Sequence, residues 1–202
     1  MANFVQPRGF VPSRYRAGNA WTGGTNLYVV QAAEPNQINV GDPVKSSANG
    51  DANGIPAVTK ITNGTDTVRG VVVGVLLAAP NLPSLLGVNL DLTVQNIPAT
   101  KLRDYYVLVA DDMDVMFDVQ DDGLAALTAT ACNKNASFTV VNPTSPQQNS
   151  GTVLSTASVA VTQALNLRLQ GLVQIPNNAY GLYARWIVMF NQHELMGNTA
   201  GV

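Results

Sequence analysis

Residues 165–190 read "LNLRLQGLVQIPNNAYGLYARWIVMF". Leu165, Leu167 and Leu169 alternate with Asn166, Arg168 and Gln170, the period of two that a strand shows when only one of its faces is buried. Leu172 falls out of phase after Gly171, as a bulge at the glycine or a strand passing from one sheet to another would produce. Residues 176–181, "PNNAYG", supply a turn, and residues 182–190 return with Leu182, Ala184, Trp186, Val188 and Phe190 on one side. The stretch is an antiparallel hairpin with an apolar inner face.

The same period recurs outward from it. In "DYYVLVADDMDVMFDVQDD" (104–122), Val115, Phe117 and Val119 alternate with Met116, Asp118 and Gln120, giving two strands around an acidic corner. "VRGVVVGVLLAAP" (68–80) is apolar on both faces and bounded by Gly and Pro, as a buried central strand is. Further strands are predicted at 26–32, 37–45, 54–64 and 137–141, with a weaker one after 152; residues 46–54, 80–100 and 142–152 read as loops. "DGLAALTATAC" (122–132) is the one predicted helix, with Asp122 as its N-cap. About nine or ten short strands and no fixed repeat predict an all-β, mainly antiparallel fold: a single β-barrel or jelly-roll-like sandwich. Residues 1–26 read as an extended N-terminal arm and 27–202 as a single domain.

Charged residues make up 12% of the 202, against about 25% in an average soluble domain. The surface is therefore largely neutral and polar. A net charge of -2, with no basic excess after Arg16, argues against a nucleic-acid partner, whose phosphates demand one. The longest apolar run, Val71 to Ala79, is interrupted by Gly74 and falls short of the roughly twenty residues that span a bilayer. No membrane partner is expected. "MANFVQPRGF" lacks the apolar core of a secretion signal, so synthesis in a cytoplasm is expected. Cys132 is alone and reads as a small buried residue.

Three stretches hold residue types that could carry chemistry. Asp111, Asp112, Asp114, Asp118, Asp121 and Asp122 form an acidic corner; their order does not fit a calcium loop, and a solvated turn accounts for them. His193, the single histidine, has no Gly-x-Ser-x-Gly elbow or His-Glu-x-x-His pattern to serve. "GVVVG" (70–74) lacks the Gly-Lys-Ser/Thr end of a phosphate loop. No catalytic residue, cofactor or metal is expected, and the chain does not read as an enzyme.

The arm asks for another explanation. Arg8, Arg14 and Arg16 are three of eleven basic residues, and the first acid is Glu34. Ordering an extended segment costs roughly 1–2 kcal/mol per residue in backbone entropy, which contacts must offset. Phe4, Phe10, Tyr15 and Trp21 with Arg8, Arg14 and Arg16 are residue types that dominate protein interfaces. These seven are the expected protein interface. The competing expectation is that the arm packs on its own body.

"RGFVPSRYRAGNAWTGGTNLYVV", "VGDPVK", "RGVVVGV", "YYVLVADDMDVMFDVQDDG", "LRLQGLVQIPNNAYG" and "RWIVMFNQHEL" together resemble the capsid decoration, or cement, proteins of tailed bacteriophage heads. The resemblance implies a structural virion protein on the outer surface of an icosahedral capsid. It implies that dimers or trimers clamp adjacent major capsid protein subunits through an extended terminus, with 80–100 and 142–152 touching sister copies or forming the outward tip. The alternative is a receptor- or carbohydrate-binding β module, which would want aromatics on the loops after Pro80 or Pro143; those loops have none.

Overall fold

The computed structural model describes residues 3–76, 96–143 and 149–196. Among the described residues fourteen strands run in the order β1 (Val11–Tyr15), β2 (Asn26–Val30), β3 (Ile38–Asn39), β4 (Pro43–Gly50), β5 (Pro56–Lys60), β6 (Gly70–Leu76), β7 (Asn96–Ile97), β8 (Tyr105–Ala110), β9 (Val115–Gln120), β10 (Asn135–Ala136), β11 (Phe138–Thr139), β12 (Val153–Leu154), β13 (Leu167–Leu172) and β14 (Arg185–Phe190). The all-β, antiparallel expectation holds. Strands β2-β5-β4-β6-β8 close a barrel and β1-β9-β14-β13-β10 form an open sheet; β3-β7 and β11-β12 are short ribbons.

Each unit has its own core. Val30, Val44, Val58, Val72, Val75, Val107 and Val109 fill one with β-branched side chains, which pack well on a pleated surface. The sheet instead buries rings: Phe10 lies 5.4 Å from Phe138 and 5.2 Å from Phe190, and Phe117 lies 5.1 Å from Phe190. Tilted and edge-on contacts of this kind favour aromatic pairs. Trp186, Leu167 and Leu169 complete that core, joined by Val68, Val71 and Ala110 from the barrel side. The two units share a seam.

The opening hairpin is β13 against β14, and its register steps from Leu169↔Val188 to Gly171↔Ile187. The bulge at Gly171 is present. Leu172 thereby comes opposite Trp186, which explains its phase slip.

Three expectations need correction. Residues 122–132 do not form a helix; within them only Ala129–Ala131 makes one 3-10 turn. Asp122 is committed to Thr156, whose hydroxyl donates at 2.6 Å, and Leu127 bridges to Gly181. Such tertiary ties outweigh the weak pull of alanine propensity. Residues 46–50, expected in a loop, extend β4. Third, the arm does not run to residue 26: β1 pairs with β9, and Phe10 is 1% exposed in the sheet core. The loop expectation at 80–100 falls mostly on residues outside the described ones, as does the centre of 142–152.

Candidate interaction surface

Of the seven expected interface residues, Phe10 is a core residue and cannot also anchor a partner. Tyr15 and Trp21 pack partly against the sheet core. Arg16 makes an exposed 3.0 Å ion pair with Asp114, a contact that contributes little in water. Arg14 faces Met116 across β1 and β9. Phe4 is different: it is 74% exposed, with Val5 beside it at 64%.

The exposed pair stands on a fastened strap. Asn3 Nδ2 donates to the carbonyls of Ala179 (2.9 Å) and Leu182 (2.8 Å), and Ala179 N donates back to Asn3 Oδ1 at 3.0 Å. Gln120 extends the stitch: its Nε2 donates to Phe4 O at 2.6 Å and its Oε1 accepts from Gln6 N at 2.8 Å. Residues 3–6 are therefore held across the end of β9 and the β13–β14 turn. Ile175, Tyr180 and Leu182 from that turn are also exposed. A shallow cavity of about 140 Å³ opens between Phe4, Arg8, Ile175, Asn178 and Tyr183.

Arg8 also borders a larger groove of about 410 Å³, walled by Val11, Pro12, Trp21, Val40, Val73 and Leu108. Among the described residues Arg8 forms no ion pair, and Trp21 Nε1 is buried without an acceptor. An apolar channel bordered by the Arg8 guanidinium suits a partner that brings an apolar side chain and an oxygen acceptor.

The acidic corner is dispersed by folding. Asp111 accepts from Tyr28 Oη at 2.5 Å, with Arg69 donating to the same phenol at 2.8 Å. Burial first, then the hydrogen bond to Asp111, pushes the Tyr28 hydroxyl up to about 12. Asp118 pairs with Arg185, and Asp112 accepts from Asp114 N at 2.9 Å. Asp121 receives Tyr183 N (2.7 Å), Gly123 N (3.0 Å), Ala184 N (3.1 Å) and Trp186 Nε1 (3.3 Å). These donors hold Tyr183 in a left-handed conformation, φ 59°, that an aromatic residue rarely adopts. Burial nonetheless raises the Asp121 carboxyl above the ordinary range. Among the described residues no three acids, cysteines or histidines converge as a metal site.

His193 is 2% exposed, and its Nδ1 accepts from Leu195 N at 3.1 Å. Burial, and then the nearby Arg69 charge, lower its pKa. Cys132 Sγ lies 3.7 Å from Tyr180 Oη.

One polar centre was missed from sequence. Lys60 Nζ lies 2.6 Å from Asp42 Oδ2, with the two side chains 2% and 0% exposed. The same Nζ donates to Asn142 Oδ1 at 2.6 Å and to Gln37 O at 2.9 Å. Asp42 also accepts from Ser150 Oγ at 2.5 Å and Asn39 N at 2.8 Å. The available signal was a lysine in the apolar run Ala57-Val58-Thr59-Lys60-Ile61, since charge is seldom buried unless paired.

The chain matches no protein-family model, no curated protein and no solved structure.

Proposed function

We propose that this chain is a structural virion protein that binds the outside of an icosahedral phage head and stabilises it by holding adjacent major capsid protein subunits. The observation that carries the reading is the strap: Phe4 and Val5 are exposed while Asn3 and Gln120 fasten the backbone around them. A large apolar side chain on backbone that is already ordered loses little entropy when a partner covers it. Together with Ile175, Tyr180 and Leu182, it forms a ridge suited to a repeated interface of modest strength, and repetition over a shell multiplies modest contacts. The clamp is thus a preorganised ridge with Arg8 at its base, in place of a free tether through residue 26. The low charge supports the same reading, because covering a neutral surface incurs little desolvation.

Co-sedimentation with heads stripped of the protein tests it. A Phe4→Ala, Tyr180→Ala double variant should lose binding by at least about tenfold, the scale of a central anchor, while its melting temperature stays near wild type. Equal binding by wild type and variant would remove the ridge from the proposal.

A further inference from the structure

We propose that Lys60 and Asn142 join in an intramolecular amide bond, with Asp42 carrying the protons. Three groups of the required kinds converge: an amine nitrogen, a primary carboxamide whose Oδ1 is 2.6 Å from it, and a carboxylate whose Oδ2 is also 2.6 Å from it. The lysine and aspartate side chains are sealed from water. Ser150 Oγ at 2.5 Å and Thr152 Oγ1 at 3.4 Å fix Asp42 from its other oxygen. Held reactants of this kind gain the entropic advantage of an intramolecular step, and a buried ion pair relieves its desolvation when a proton crosses from Nζ to the carboxylate.

The step balances without oxidant or cofactor. Nζ gives a proton to Asp42 Oδ2, and its freed lone pair adds to Asn142 Cγ, forming the C–N bond. Asp42 passes the proton to Nδ2, the Cγ–Nδ2 bond breaks, and the remaining extra proton on Nζ follows through Asp42 to the departing nitrogen. Lysine and asparagine become one secondary amide plus ammonium, and Asp42 returns to its carboxylate. Asn142 lies on the exposed side of the centre, which gives ammonium a way out. The residue after it is Pro143, which has no backbone N–H. Cyclisation of Asn142 onto the next amide is therefore closed, leaving Lys60 as the amine within reach.

The bond would tie the end of β5, in the barrel, to the segment that follows β11. Closing so long a loop restricts the unfolded chain in the way a disulfide does, in a protein whose single cysteine cannot form one internally. The assignment does not depend on the capsid reading.

Mass spectrometry of the full-length, denatured chain tests it. Wild type should weigh less than its sequence by one ammonia, and a tryptic digest should contain the Lys60 and Asn142 peptides as one branched species uncut after Lys60. Asn-Gly pairs at 49–50, 53–54 and 63–64 can also shed ammonia, so the branched peptide decides. Asn142→Ala, at an exposed position, should fold and give linear peptides only; Asp42→Asn should do the same or accumulate the bond far more slowly. Unmodified linear Lys60 and Asn142 peptides from wild type after prolonged incubation of the folded protein would overturn the proposal.

Discussion

Gly9 and Gly41 cross backbone to backbone where the N-terminal strand meets the barrel. Phe10 N donates to Gly41 O at 2.9 Å, and both glycines have positive φ, +67° and +94°. A Cβ on Gly41 would collide with Arg8 O and lie 3.3 Å from both Gly9 Cα and Ser150 Cβ. The crossing lets Phe10 enter the ring cluster while Ser150, one residue pair away, turns to Asp42. Gly41→Ala should therefore lower unfolding free energy by about 2–4 kcal/mol, combining left-handed strain with overpacking. Urea denaturation reads this directly, and a loss under about 0.5 kcal/mol would mean that the crossing relaxes freely.

The corrected arm boundary predicts opposite outcomes for two phenylalanines. Phe10→Ala removes a ring shared by Phe117, Phe138 and Phe190 and should cost about 3–5 kcal/mol. Phe4→Ala, at 74% exposure, should stay within about 0.5 kcal/mol. Deleting residues 1–8 should leave a cooperative fold, whereas deleting 1–20 removes β1 and should broaden or abolish the transition. Circular dichroism melts of the two truncations distinguish them.

In an Asn142→Ala background, where Lys60 keeps its ammonium, removing that partner from the Lys60–Asp42 pair leaves a buried carboxylate with its cation gone. Lys60→Met should destabilise by roughly 3–5 kcal/mol, the usual penalty for an uncompensated buried charge. An effect below 1 kcal/mol, measured by denaturant midpoint, would show that water reaches Asp42.

Acid sensitivity should begin with His193. Its folded pKa lies below the ordinary 6.5, so protonation favours the unfolded chain. The contribution is fully present above about pH 6.5 and is lost as pH falls through the folded value, by at most about 1.4 kcal/mol per pH unit. His193→Asn retains an acceptor for Leu195 N and should flatten stability between pH 6.5 and 5. A wild-type slope surviving in the variant would assign the effect elsewhere.

At the alkaline end the sign reverses. Tyr28, pushed up to about 12 from 10.0, contributes stability that is intact below pH 10 and lost as pH rises through about 12. Tyr28→Phe should shrink that limb to the share of Tyr106, also pushed up to about 12, and cost about 1–3 kcal/mol at neutral pH, because Asp111 loses its 2.5 Å donor. Chemical denaturation at pH 8, 10 and 11.5 checks both parts.

Local periodicity carried much of the fold. Alternation in 165–190 and 115–120 placed β13, β14 and β9, and the slip after Gly171 located the bulge. The helix over 122–132 was misread because alanine content is a local signal, while Asp122 is held by Thr156 and Leu127 by Gly181. Burial within the N-terminal segment was illegible for the same reason. Aromatic and arginine content marked residues 4–21, yet only long-range pairing separates Phe4, on the surface, from Phe10, in the core.

The sequence by itself determined that the chain is built from strands, which faces of the longer ones are apolar, and that its surface carries little charge. Those properties arise from neighbours two residues apart and from composition. Only the tertiary structure decided partners: Asp111 with Tyr28, Asp118 with Arg185, Lys60 with Asp42 and Asn142, Phe10 with Phe138 and Phe190. Each pair lies far apart in the chain, and barrel closure with sheet register sets which side chains meet, so no local pattern could encode them.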